Sequence, residues 1–558
     1  MLTRLAGGRV FDPANGIDGV VRDVCFDDGR IVADPGPGAG GRTIDVGGAV
    51  VMAGAIDMHT HIGGGKVNLA RLLLPEDHRT SAYARDEMLR ACCGRAAPST
   101  LATGYRYAEM GYTMCFEPAM LPVNARQTHL EMGDTPIVDK GAYALLGNDD
   151  FLLRMLAAGE PQEKINDYVA WTLDASQAIA IKVVNPGGIS AFKFNQRRLD
   201  VDEKHTHYGV TPRRVLQALT RAVHELQVPH ALHVHGSNLG IPGNVDSTLA
   251  TIEAADGLPI HLTHIQFHSY GAEGDRKFSS AAARIAEAIN THPNASCDVG
   301  QIMFGQTVTM SGDSMSQWRN AGLGRPNKSV VMDIECDAGC GVVPFRYRDR
   351  SFVNALQWAI GLEIFLLVRD PWRVFLTTDH PNGAPFTTYP HLIRLLMDRA
   401  FRNEMLERID PDARAASTLG SLTREYSLYE IAIMTRAAPA RTLGLADRGH
   451  LGAGASADVV VYRDDPDRER MFEKPQLVFK GGRLVVRDGK IVEITTGDTH
   501  VVKPAFDRAA IEGSLRPYFE RFLTMRLESF RISDDEACEC GNGARLVVHR
   551  CCRPGAAA

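Results

Sequence analysis

From about residue 51 to residue 440, apolar runs of strand length alternate with amphipathic helical segments, and this alternation limits the possible folds more than any other feature. One unit is easily read. Thr211 is placed to cap a helix, Pro212 suits its first position, and Val215, Leu216, Leu219, Val223 and Leu226 recur at helical spacing. Pro229 ends that segment and a strand follows over Ala231 to Val234. Repetition of such units predicts an α/β fold, a (β/α)8 barrel with insertions rather than an open sheet. The segment 355–368 is apolar enough to be one wall of it.

Both ends of the chain have a different texture. Short strands punctuated by Gly and Asp fill the first fifty residues, and similar strands return at Ala457–Tyr462, Leu477–Phe479 and Gly489–Val492. The two ends are therefore expected to form a small β-sandwich. This divides the chain into 1–52 (sandwich, first part), 53–440 (barrel), 441–502 (sandwich, second part) and 503–558, a C-terminal helical extension with a Cys-containing tail. In the extension Ile511, Leu515, Tyr518, Phe519, Phe522, Leu523 and Leu527 make a stripe that docks either on its own chain or on another subunit.

A net charge of −6 gives no support to a nucleic-acid surface. No apolar run reaches the length of a membrane span and the N-terminus lacks a signal-peptide core, so a cytoplasmic location is expected. Eleven cysteines in 558 residues do not make a disulfide framework. Four of them, Cys538, Cys540, Cys551 and Cys552, crowd the tail beside His549, but their spacing suits a frayed or partner-bound end better than a zinc clip.

Chemistry in such a barrel sits at strand C-termini. The apolar run through Ile56 leads into His59-Thr60-His61, whose two imidazoles, two residues apart, project to one face of an extended chain and can share a metal ion. Lys182 follows an apolar strand. His233 and His235 close the next, His261 and His264 lie in the one after, and Asp379 closes Val374–Thr378. Each alone is a plausible polar strand end; the ordered set is a much rarer pattern.

That order resembles the amidohydrolase superfamily with a two-metal centre. The resemblance implies that His59, His61 and Asp379 hold one divalent ion, that His235 and His264 hold the other, and that Lys182, carbamylated by carbon dioxide, bridges them. Between His233 and His235 as ligand, family position favours His235. His233 is then left to orient a ligand or act at the substrate, alongside Asp379 as catalytic residue. Ala53 stands where the family usually has proline, with no catalytic consequence. The stretches His61–Asn68, Val184–Gly188, His235–Gly240 and Thr378–Gly383 are more specific. They resemble the A subunits of formylmethanofuran dehydrogenases and of bacterial formyltransferase/hydrolase complexes, over essentially the whole chain.

This narrower resemblance implies hydrolysis of N-formylmethanofuran, or its bacterial analogue, to formate and the free amine in one-carbon metabolism. It also implies companion subunits, including a formyltransferase. Zinc is the expected metal, since nitrogen and oxygen ligands meet no redox demand here. Two ions generate a hydroxide near neutral pH and polarise the formyl carbonyl, while Asp379 moves the proton to the leaving nitrogen. Lys66, Asn238, Gln266, His268 and Asn382 are expected on the substrate side. A cyclic-amide hydrolase resembling dihydroorotase or hydantoinase, and an inactive scaffold protein, are the competing readings.

Overall fold

Eight parallel strands form the barrel: Ala55–Asp57, Tyr112–Met120, Asp139–Leu145, Ala180–Val184, Leu232–His235, Ile260–Leu262, Ala295–Asp298 and Val374–Phe375. Each is hydrogen-bonded in parallel to the next. The ring closes just beyond the first strand, where Thr60 bridges His380 and the His61 N–H donates to the His380 carbonyl at 2.8 Å. The computed structural model from which this is taken describes residues 1–36, 40–80, 93–311, 332–334 and 340–551.

The strand–helix unit around residue 211 forms as its sequence predicts. The helix spans Pro212–Glu225, the Thr211 hydroxyl accepts from the Arg214 N–H at 3.2 Å, and Val215, Leu216, Leu219 and Val223 are buried. The wall helix spans Phe352–Leu367 and is buried on nearly every face, which is why it is apolar all round rather than striped.

The chain ends come together as one nine-stranded sheet in which Val50–Ala53 pairs antiparallel with Val459–Tyr462. Register shifts at Leu5/Gly8 and Val10/Phe11 interrupt its longest pairing, where bulges bend a strand. The sheet encloses its own core of Leu5, Val24, Phe26, Val51, Val459, Val461 and Phe479, with the Phe26 and Phe479 rings 5.1 Å apart. The two chain ends thus share a single continuous sheet with its own core.

One strand placed with the sandwich by sequence lies elsewhere. Thr499–Val502 joins the barrel sheet beside Asp139–Leu145, and Leu546–His549 pairs in parallel with it. The C-terminus is therefore not frayed up to residue 551, and Cys552 lies outside the described residues. A buried charge network holds this corner: the Asp139 carboxylate meets Lys480 at 2.7 Å, Arg448 at 3.2 Å and His500 at 3.3 Å, linking barrel, small sheet and tail. His549 pairs with His500 at 2.7 Å. In the extension, the helix Arg508–Phe522 buries Ile511, Leu515 and Phe519, and Phe519 meets Trp171, so it docks on its own chain. Among the described residues no helix is long and apolar enough to cross a membrane.

Candidate metal centre

Local backbone geometry brings the donors to the barrel mouth. Asp57 accepts from the His59 N–H at 3.1 Å and from the Tyr107 hydroxyl at 2.6 Å, while the Tyr143 hydroxyl donates to the Met58 carbonyl at 2.6 Å, which fixes the turn carrying His59 and His61. His264 and Asp379 both take left-handed backbone conformations, with φ of 36° and 49°. Such conformations cost energy in non-glycine residues and gather at functional sites. Gly300 makes the approach of these two residues possible. Its φ is +64°, and a Cβ there would lie 2.4 Å from the His264 Cβ and 3.4 Å from the Asp379 Cβ.

The Asp379 carboxylate lies 2.9 Å from His59 Nε2 and 3.3 Å from His61 Nε2. His59, His264 and Asp379 place ligand atoms within 4.8 Å of one another, as do His235, His264 and His268, so His264 is common to two donor groups. A cavity of about 30 Å³, room for ions and one or two water-sized groups, is lined by His61, Lys66, Lys182, His235, His264, Asp379 and Asn382, with Thr309 from the hairpin that follows the seventh strand. Every residue assigned by sequence to the metals is thus in or beside one cavity.

The electrostatics suit cations. Burial holds the His235 and His264 imidazoles well below the usual histidine range, and the same is true of His230 and His233 beneath them, so these rings are neutral at pH 7. Burial opposes ionisation of Asp379, but the His264 and His59 rings overcome it and hold the carboxyl well below its ordinary value. Burial pushes the Lys182 ammonium down to about 8, against the pull of Asp379. The residues fit divalent metal: imidazoles, those of His235 and His264 neutral, converge with an ionised carboxylate, and among the described residues His264 Nδ1 is buried without a hydrogen-bond partner.

Several sequence-predicted residues lie differently. The Asn238 amide donates to the Ser247 hydroxyl at 2.8 Å, which ties it to the wall, and Asn238 does not line the cavity. Gln266 is fully buried in the short helix Ile265–His268 and does not line it either. His268 does not line the cavity; its ring stacks on His264 at 5.4 Å, and it forms a donor group with His235 and His264. His233 is 0% exposed and lies under the centre, its Nε2 2.8 Å from His59 Nδ1, so it touches a ligand and not the cavity.

Two carboxylates carry no sequence signal beyond their position at strand ends. Glu117, near the end of the second strand, meets His61 Nδ1 at 3.0 Å and accepts from the Ile62 N–H at 2.7 Å. Asp298, ending the seventh strand, accepts from the His264 N–H at 2.9 Å and the Thr377 hydroxyl at 2.7 Å, and meets His261 Nε2 at 3.1 Å. Sequence reasoning missed both. Glu117 orients the His61 ring through its Nδ1, so Glu117→Gln is expected to weaken metal binding by about 10–100-fold, read by chelator competition. Unchanged affinity would remove Glu117 from the centre.

Comparison with known proteins agrees with this geometry. Residues 42–493 match the model of an amidohydrolase family. The chain is 45% identical over 539 residues to the A subunit of the formyltransferase/hydrolase complex Fhc of Methylorubrum extorquens, covering 96% of this chain and 97% of that one. It is 40% identical over 555 residues to the protein FwdA of Methanocaldococcus jannaschii, covering 96% and 97%. In three dimensions it matches, with a TM-score of 0.93 and 44% identity over 99% of this chain and 100% of the other, a chain of the crystal structure of the complex FhcABCD from Methylorubrum extorquens with methylofuran. By a family match over most of its length and by relatives spanning nearly all of it, the chain belongs to the amidohydrolase family.

Proposed function

We propose that this chain is the hydrolase subunit of a formyltransferase/hydrolase complex and cleaves the formyl C–N bond of an N-formylated furan amine carrier, giving formate and the free amine. One observation carries the reading. A chain alignable over 96% of its length with a component named for that complex also gathers its candidate metal donors at one cavity, which His61, Lys182, His235, His264 and Asp379 line, with His59 2.9 Å from Asp379. A scaffold that had lost activity would have no need to keep that set.

Divalent ions, for which zinc suits the donors, supply Lewis acidity and lower the pKa of water. The chain does the rest. In this reading His59, His61 and Asp379 would hold one ion and His235 and His264 the other; the 2.9 and 3.3 Å separations of the Asp379 carboxylate from His59 Nε2 and His61 Nε2 support the first group. Lys182 supports a bridging role because a buried ammonium beside two cations is untenable. Its neutral amine adds carbon dioxide with loss of a proton, turning a potential cation into a carbamate with two oxygen donors. Asp379 accepts the proton of the attacking water and returns it to the departing nitrogen, without which the amine leaves poorly. Lys66 and Asn382, on the cavity wall, are the residues assigned to the carrier.

A substrate panel tests the assignment. The purified complex is expected to release formate from a formylated furfurylamine carrier and to leave dihydropyrimidines and hydantoins intact. Rapid ring opening with no formate release would establish the cyclic-amide reading instead.

A further inference from the structure

Beneath the metal donor His59 the barrel interior holds three further imidazoles, His233, His230 and His261, that no part of the proposed chemistry uses. His59 Nδ1 lies 2.8 Å from His233 Nε2, and His233 Nδ1 lies 2.9 Å from His230 Nε2. His261 stacks on His233 with ring centroids 4.7 Å apart. All four rings are essentially fully buried. His59, His233 and Asp298 also form a compact donor group, but it does not suit an ion. Two nitrogens on one tetrahedral ion at about 2.0–2.1 Å stand roughly 3.3 Å apart, so a 2.8 Å pair is a hydrogen bond.

A chain of neutral imidazoles can run in one of two directions, because each ring carries one N–H and one lone pair. If His59 donates from Nδ1 to His233, and His233 donates from Nδ1 to His230, then His59 Nε2 presents its lone pair toward Asp379 and the cavity. If the chain runs the other way, His59 carries its proton on Nε2 and cannot bind metal. Asp298 favours the first direction, against the cost of a His230 Nδ1–H that is buried without a hydrogen-bond partner among the described residues. The Asp298 Oδ2 lies 3.5 Å from His59 Nδ1 and 3.9 Å from His233 Nε2, so its negative charge favours the proton on the nearer His59 nitrogen, while the other Asp298 oxygen is anchored by the His264 N–H and the Thr377 hydroxyl. The Thr263 hydroxyl beside His59 Nδ1 can donate or accept and does not decide the matter.

We infer that His230, through His233, is a positioning residue that fixes the metal-binding tautomer of His59 from two imidazoles away. The inference rests on His59 being a metal ligand, and its test reads metal affinity, so it stands or falls separately from the formyl substrate. Zinc affinity of the assembled complex is measured by chelator competition for three variants. His230→Phe removes the acceptor for His233 Nδ1–H, and His230→Asn places its amide oxygen too short to reach. Both are expected to weaken zinc binding by about 10–100-fold. His230→Gln puts an amide oxygen where Nε2 stood and is expected to retain nearly full affinity. Where formate release is measurable, KM stays unchanged and saturating zinc restores kcat in the weakened variants. Native affinity in His230→Phe, or equal loss in His230→Asn and His230→Gln, would overturn the inference. Normal zinc behaviour of the series in a complex that releases no formate would instead count against the substrate.

Discussion

Replacing Asp379 with asparagine is expected to lower formate release by roughly 10³-fold or more while the protein stays folded and assembled. The substitution keeps size and shape, and asparagine is among the residues that tolerate the left-handed backbone found there. What is lost is charge and basicity. An amide cannot accept the proton from the attacking water, and it binds cations more weakly than a carboxylate that the His264 and His59 rings keep ionised. Activity within about tenfold of the native complex would place the proton-transfer group elsewhere.

Removing the Lys182 side chain is the second change with a large effect. Lys182→Ala is expected to cost about 4 kcal/mol of transition-state stabilisation, roughly 10³-fold in kcat/KM, together with loss of bound metal. The position also distinguishes carbamate from ammonium. A buried amine lowered to about 8 has a substantial neutral fraction near neutral pH and can add carbon dioxide. In the alanine variant a short carboxylate such as propionate fits where a carbamate would lie and is expected to restore part of the activity. Rescue by a short alkylamine and not by a carboxylate would mean that Lys182 acts as a cation.

How far the site is legible in the sequence depends on depth along the strands. His233 and His235, two apart, both face the barrel interior as alternation requires. Two residues of strand separate them by about 7 Å along the axis, so His235 reaches the mouth and His233 lies a layer below. Alternation reports the face of a side chain and not its height. Lys182 is in register with His233, and its longer side chain climbs to the cavity. Asn238 and Gln266 adjoin metal donors in the chain, which suggests the substrate side, but the backbone turns after each donor direct them into the wall. Glu117 and Asp298 cannot be found by spacing, since a carboxylate that orients a ligand needs only to reach it through space. Thr499–Val502 resembles the small-sheet strands in composition, and only its tertiary partner Lys140 assigns it to the barrel sheet.

The small sheet carries a similar lesson. Its two halves are joined through Val50–Ala53 and Val459–Tyr462, far apart in the chain, and the shared texture of the ends is enough to anticipate the pairing. The register shifts at Leu5/Gly8 and Val10/Phe11 in that sheet are details that composition does not specify.

The most direct test of the account is formate release from the formylated carrier by the purified complex before and after metal removal. The account predicts that release stops when the metal is stripped and returns with added zinc and carbon dioxide. Formate release that persists at full rate in metal-free complex would contradict it.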